Sequence, residues 1–209
     1  KMRKAIFLTI FLLFNLSVGI GQKECFPKGE KNKFVYDEAN ILSAQQNKSF
    51  TQKLKKFTQE TSNVVVILTK KDLCGYDKAQ FAIEFGDQVG FGREDLENGV
   101  VILVKPKYNS SKGESFIAVG TGLQGAITDL GSTRIVTDDM IPYFKLNDYY
   151  GGIEVGAELV MQLAKGEISE EDYLENNGDA IWGFLILFLL ILVLGIIISR
   201  NSDDSDWEN

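Results

Sequence analysis

The sequence predicts an α/β sandwich, a small mixed sheet with helices on both faces, and three observations lead there. Val64-Val65-Val66-Ile67-Leu68 and Val100-Val101-Ile102-Leu103-Val104 are continuous β-branched runs of strand length. Runs of that kind belong to strands covered on both faces. An amphipathic helical pattern lies before the first run and another between the two, so strand and helix alternate. The second run is followed after a short turn, Lys107–Gly113, by Ser115-Phe116-Ile117-Ala118-Val119. So short a connection requires the third strand to run antiparallel to the second.

Taken in order, Phe34-Val35-Tyr36 is a short extended segment running into Asp37-Glu38-Ala39-Asn40-Ile41-Leu42. Ser43 with Gln46 three residues on is a capping-box pattern, and Phe50, Leu54 and Phe57 give the following helix one buried face. Asp77 and Gln80 repeat that cap pattern ahead of Phe81, Phe85 and Val89, in a second helix ending near Gly90. Pro106 stops the second buried strand. Helical pattern returns over Leu123–Met140, and again from Ile153 through Ala157, Val160 and Leu163 to Gly166. No internal repeat is visible.

Two apolar segments bracket this region. Lys1, Arg3 and Lys4 precede the run Ala5–Phe14, and small residues follow near Gly19 and Gly21, the order of a secretion signal over residues 1–21. From Ala180 to Ile198 the chain carries about nineteen uncharged residues, about 28 Å as a helix against a hydrocarbon core of about 30 Å. These features predict a single membrane span over residues 180–199, with the globular domain on the extracytoplasmic side at the cell membrane. Arg200 beyond the span, and the acidic residues Glu167 to Asp179 before it, place the C-terminus in the cytoplasm. The remaining expected divisions are a linker over 22–33, a domain over 34–166, an acidic linker over 167–179 and a short acidic tail over 200–209.

The net charge of -7 and the lack of a basic stripe exclude nucleic acid as partner. With no histidine in the chain, Ser-His and Cys-His nucleophile pairs, imidazole-ligated zinc and phosphohistidine chemistry are excluded. Cys25 and Cys74 would meet an oxidising compartment, where they either form one disulfide or remain a loose Cys25 and a buried Cys74.

Gly120-Thr121-Gly122-Leu123-Gln124-Gly125 matches G-x-G-x-x-G after a strand. No second buried strand ends in an acidic residue about twenty positions later, so the pattern predicts no nucleotide. It predicts a tight turn that lets backbone pass close to a neighbouring loop. Acidic and amide side chains fall in loops: Asp37 and Glu38, then Glu94, Asp95, Glu97 and Asn98, then Asp129. Loops at one rim of an α/β sheet converge in space. Carboxylate and amide oxygens gathered there suit a hard divalent cation such as Ca²⁺ or Mg²⁺.

Several stretches resemble one family. Val35-Tyr36-Asp37-Glu38-Ala39-Asn40-Ile41-Leu42-Ser43 is similar to the opening motif of the TPM domain family. Asn98-Gly99-Val100-Val101-Ile102-Leu103-Val104, Val119–Gly125, Ile141-Pro142-Tyr143-Phe144 and Asp148–Ile153 continue the resemblance in the family's order. The resemblance implies a Rossmann-like α/β/α sandwich and, as in some members, Ca²⁺ or a similar cation in acidic loops. Carried over residue by residue, it implies Asp37, Asn98 and Asp129 as metal ligands. Gly99, Gly120, Gly122 and Gly125 then shape the loops of that site. It also implies one of two roles: a cation-binding module that interacts with or maintains other envelope proteins, or a metal-assisted acid phosphatase acting on phosphate monoesters. No catalytic residue is singled out, because no nucleophile has an evident activating partner.

Overall fold

A computed structural model describes residues 25–30, 32–90, 97–109, 111–176, 189–191 and 193. The expected signal segment and acidic tail, and most of the expected span, lie outside the described residues. Among the described residues no helix is long and apolar enough to cross a membrane.

The fold is a four-stranded mixed sheet in the order β1-β2-β3-β4: β1 (Val35–Asp37), β2 (Val64–Thr69), β3 (Gly99–Lys105) and β4 (Glu114–Val119). The first three strands are parallel and β4 returns antiparallel. Val65, Ile67, Val100 and Ile102 point to one face, where Phe50, Leu54 and Phe57 of α1 (Ala44–Thr61) meet Ile153, Ala157 and Val160 of α5 (Tyr149–Lys165). Val66, Leu68, Val101 and Leu103 point to the other, against Phe81, Ala82 and Phe85 of α2 (Lys78–Val89). Helices therefore cover both faces, and β2 and β3 read as unbroken apolar runs for that reason.

Local chemistry sets the helix starts. Ser43 accepts from the Gln46 amide while the Gln46 side chain accepts from the Ser43 amide, a complete capping box for α1. At α2 only half of the repeated pattern operates. Asp77 caps through the Ala79 amide, but the Gln80 side chain donates to Glu84 instead.

The single helical pattern over Leu123–Met140 resolves into a 3₁₀ turn (Thr121–Leu123), α3 (Asp129–Arg134) and a π-helical stretch (Ile135–Met140), followed by α4 (Ile141–Lys145). Steric fit to α5 accompanies the π turn. A Cβ on Gly156 would lie 2.5 Å from the Met140 sulfur, and one on Gly152 would overlap the Phe144 ring. A wide turn carrying Met140 and a glycine-lined groove on α5 thus interlock.

The packed unit is wider than the 34–166 span read from the motifs. At the front, Cys25 and Cys74 form a disulfide, and the Phe26 ring stacks on Phe81 with centroids 4.7 Å apart. At the back, the stretch read as an acidic linker forms α6 (Glu170–Asn176) and docks on α3. Glu170 accepts from the Thr128 amide (2.9 Å) and hydroxyl (2.7 Å). A side chain at Gly131 would collide with that carboxylate. Arg134 donates to the Leu174 carbonyl at 2.9 Å, and the buried Tyr173 donates to Asp139 at 2.5 Å.

Burial raises the pKa of Asp139 against the opposing Tyr173 hydrogen bond, with Asp138 adding repulsion. A carboxyl held above its ordinary value favours folding while protonated and loses that contribution as pH rises through its folded pKa. Removing the Tyr173 hydroxyl raises it further, so the penalty falls on the ionised form. Tyr173→Phe is expected to cost about 1–2 kcal/mol at neutral pH and less at pH 3, where Asp139 is protonated in either state. Urea unfolding at both pH values measures the difference.

Candidate functional site

Parallel pairing decides which loops meet. Asp37 ends β1 opposite Thr69, which lies opposite Val104 near the end of β3. Asn98 stands just before Gly99, at the other end of the same strand. Six residues separate Asn98 from the Val104 row, about 20 Å along the strand at about 3.3 Å per residue. Asp37 and Asn98 are therefore at opposite ends of the sheet. Asp129 is exposed in the first turn of α3, beyond the Thr128 cap. The structure does not bring the three together around one ion.

Each of those side chains has a structural task. Asp37 accepts from the Ile41 and Leu42 amides at 3.1 and 3.0 Å and from the Thr69 hydroxyl at 2.5 Å. Thr69, fully buried, accepts in turn from the Ala39 amide at 3.2 Å. Together they fold the Glu38–Leu42 loop against the end of β2. Asp37 also lines a cavity of about 530 Å³ with Lys33, Asn40, Asn47 and Lys48. Asn98 is buried and donates to the Ser62 carbonyl (2.8 Å) and to the Asn63 side chain (3.2 Å), tying the end of α1 to the start of β3.

Three of the four loop glycines do meet, at the amino end of β3. Gly120 donates to the Gly99 carbonyl at 2.8 Å, and Gly122 donates to the Glu97 carbonyl at 3.2 Å. A Cβ on Gly120 would overlap that carbonyl, so only glycine lets the turn pass so close. A Cβ on Gly125 would meet open space.

Beside this crossing lies a groove of about 550 Å³ between α2 and the β3–β4 pair. Gly86, Gly99, Val101 and Ala118 are among its small or apolar lining residues, and its polar lining is Asp87, Glu97, Thr121 and Gln124. The Thr121 hydroxyl donates to the Glu97 carboxylate, which fixes that side chain on the glycine turn. Among the described residues no three or more His, Cys, Asp or Glu side chains group to hold a metal. An ion here would add hydroxyl, amide, carbonyl and water oxygens to two carboxylates, a donor set Ca²⁺ tolerates and an octahedral Mg²⁺ site fills less readily.

Sequence reasoning placed Glu97 in an acidic loop but missed Asp87 and Gln124. Gly86 inside a helix was the available signal, since a helical glycine marks a close approach or an opening.

Comparison with known proteins agrees with this architecture. The TPM domain profile matches residues 35–163. The chain belongs to the TPM domain family. No curated protein is significantly similar to this TPM domain chain. The N-terminal domain of a P. gingivalis protein shares 24% identity, with 65% of this chain and 84% of that chain covered and a TM-score of 0.57. The BA42 protein of the psychrophilic bacterium Bizionia argentinensis shares 19%, covering 61% and 84%, at a TM-score of 0.50. At such identities these likenesses establish the fold of the TPM domain.

Asp37→Ala would strand two loop amides and a buried hydroxyl. The expected cost is about 1–3 kcal/mol. Chemical unfolding measures it; a cost below 0.5 kcal/mol, the range of an ordinary surface change, would refute the structural assignment of Asp37.

Proposed function

We propose that this TPM domain is a cation-binding module, tethered to a membrane on its extracytoplasmic side, that holds another envelope protein. The observation that carries the reading is the α2 groove, where Asp87 and Glu97 line one cavity with Thr121, Gln124 and a floor of small residues. A divalent ion bridging those two carboxylates would neutralise the rim and stiffen the glycine turn. The floor would then be left for an apolar side chain of the partner.

Two further features support the placement. The Cys25–Cys74 bond suits an oxidising compartment. In the apolar stretch that follows the domain, Leu189, Leu190, Ile191 and Val193 are all exposed. Such side chains favour a lipid environment over water.

A bound ion stabilises the fold by mass action, about 2.7 kcal/mol at a hundredfold excess over Kd. Thermal unfolding of the detergent-solubilised chain should therefore shift upward with Ca²⁺. The shift should vanish in Asp87→Asn/Glu97→Gln and persist in Asp37→Ala. No shift with Ca²⁺ or Mg²⁺ in the unsubstituted chain would overturn the reading. A cation in this groove would also serve metal-assisted phosphate monoester hydrolysis. Turnover of a generic phosphate monoester that disappears together with the thermal shift would replace the module by an enzyme.

A further inference from the structure

The end of the fold opposite the groove carries a surface of a different character. Leu146 is 80% exposed, Tyr108 54% and Tyr143 39%. They sit near one another: the Lys107 amide donates to the Tyr149 hydroxyl at 3.1 Å, and the Tyr149 ring stacks on Phe144 at 5.4 Å, beside Tyr143 and Leu146. The Lys71 ammonium lies 5.7 Å from the Tyr108 ring centre. Lys107 and Lys145 are exposed on the same rim. The nearby carboxylates Asp72 and Asp148 are engaged by the Cys74 and Gly151 amides. The same end also carries Glu38 and Glu114, each ion-paired with a further lysine (Lys70 and Lys105, both at 2.6 Å), so Lys71, Lys107 and Lys145 are the exposed ammonium groups beside the two engaged aspartates.

Exposed tyrosines with a protruding leucine and lysines are the side chains that settle at a membrane–water boundary. The rings lie at headgroup level, the aliphatic tip enters the acyl boundary and the ammonium groups meet anionic lipid.

The path of the chain agrees. Helix α5 runs away from this rim, and its Lys165 meets Glu60 in the last turn of α1 at 3.5 Å. Helix α6 then runs back along α3, with Glu170 at Thr128 and Tyr173 at Asp139, a residue before Met140 and α4. Its last residue is therefore directed toward the rim that bears Leu146. From Asn176 to the apolar run starting at Ala180, extended chain reaches no more than about 14 Å.

We infer that the rim formed by Tyr108, Tyr143 and Leu146 with Lys71, Lys107 and Lys145 faces the membrane and contacts anionic lipid headgroups, while the α2 groove points away from the bilayer. The inference rests on the tethered reading above and adds the orientation of the domain and the surface that fixes it.

The test uses the full chain in vesicles of phosphatidylcholine with phosphatidylglycerol, and in phosphatidylcholine alone. A spin label is attached at Leu146→Cys or, as a control at the far end, at Glu167→Cys; the bonded native cysteines do not react. In anionic vesicles the label at 146 should be several-fold more accessible to oxygen than to an aqueous relaxation agent, relative to the control. That preference should weaken in neutral vesicles and disappear in Lys107→Glu/Lys145→Glu, with circular dichroism unchanged. If the chain stays with the vesicles through a carbonate wash and both labels are equally aqueous, the orientation is overturned and the tether stands. If the chain leaves the vesicles in that wash, the tethered reading falls and this inference with it. A label at 146 that is shielded from both agents marks a protein contact and also overturns the lipid assignment.

Discussion

The parallel registration of β2 with β3 is the constraint from which the rest of the structure follows. Six rungs from Val64–Gly99 to Thr69–Val104 fix that both strands begin at one end of the domain and finish at the other. With β1 added in the same sense, the Asp37 loop is committed to the carboxyl end. The Asn98 turn and the glycine crossing from β4 are committed to the amino end. Because Val100 to Val104 are all buried, a slip of one residue would turn an apolar set toward the wrong layer. The two rims therefore differ: one has Asp87 and Glu97 beside a groove, the other exposed tyrosines, a leucine and lysines next to carboxylates already held by amides, a hydroxyl or lysines.

Segments outside the sheet hold those rims in place. The disulfide and the Phe26–Phe81 stack tie the N-terminal approach to α2. Glu170, Tyr173 and Arg134 tie α6 to α3 and the π turn. Each contact links parts of the chain distant in sequence, and together they leave α6 little freedom to swing.

The sequence made the layers legible because burial writes itself into composition. Continuous β-branched runs of strand length such as Val64–Leu68 read as strands covered on both faces, and Phe50, Leu54 and Phe57 recur at the spacing of one helix face. The Ser43–Gln46 capping box was legible because both partners act within four residues. The wide π turn was not, because Met140 takes its place from Gly156 on another helix. Tyr173 lay in a run of acids whose composition resembles solvent-exposed linker, and its burial comes from the apolar cluster it joins and from Asp139 across the interface, both set by distant parts of the chain.

The candidate site was legible only in part, for a definite reason. Loop carboxylates can be counted in a sequence, but their end of the sheet follows from strand direction. Asp37 lies after its strand and Asn98 before its own, so parallel pairing separates them by the length of β3. The glycine crossing was legible because close backbone approach demands glycine whatever the partner. Asp87 was not, since a helical aspartate looks like ordinary solvated surface until Gly86 is seen to open a groove beside Glu97.

The proposed cation binds at the amino end of β3 and not at the Asp37 loop. Amide chemical shifts of the isotopically labelled chain during Ca²⁺ titration test it directly. The account predicts saturable shifts at Glu97, Gly120, Thr121 and Gln124 and around Asp87, with Ile41 and Leu42 unmoved. Saturable shifts centred on Ile41, Leu42 and Thr69, with the glycine turn silent, would contradict it.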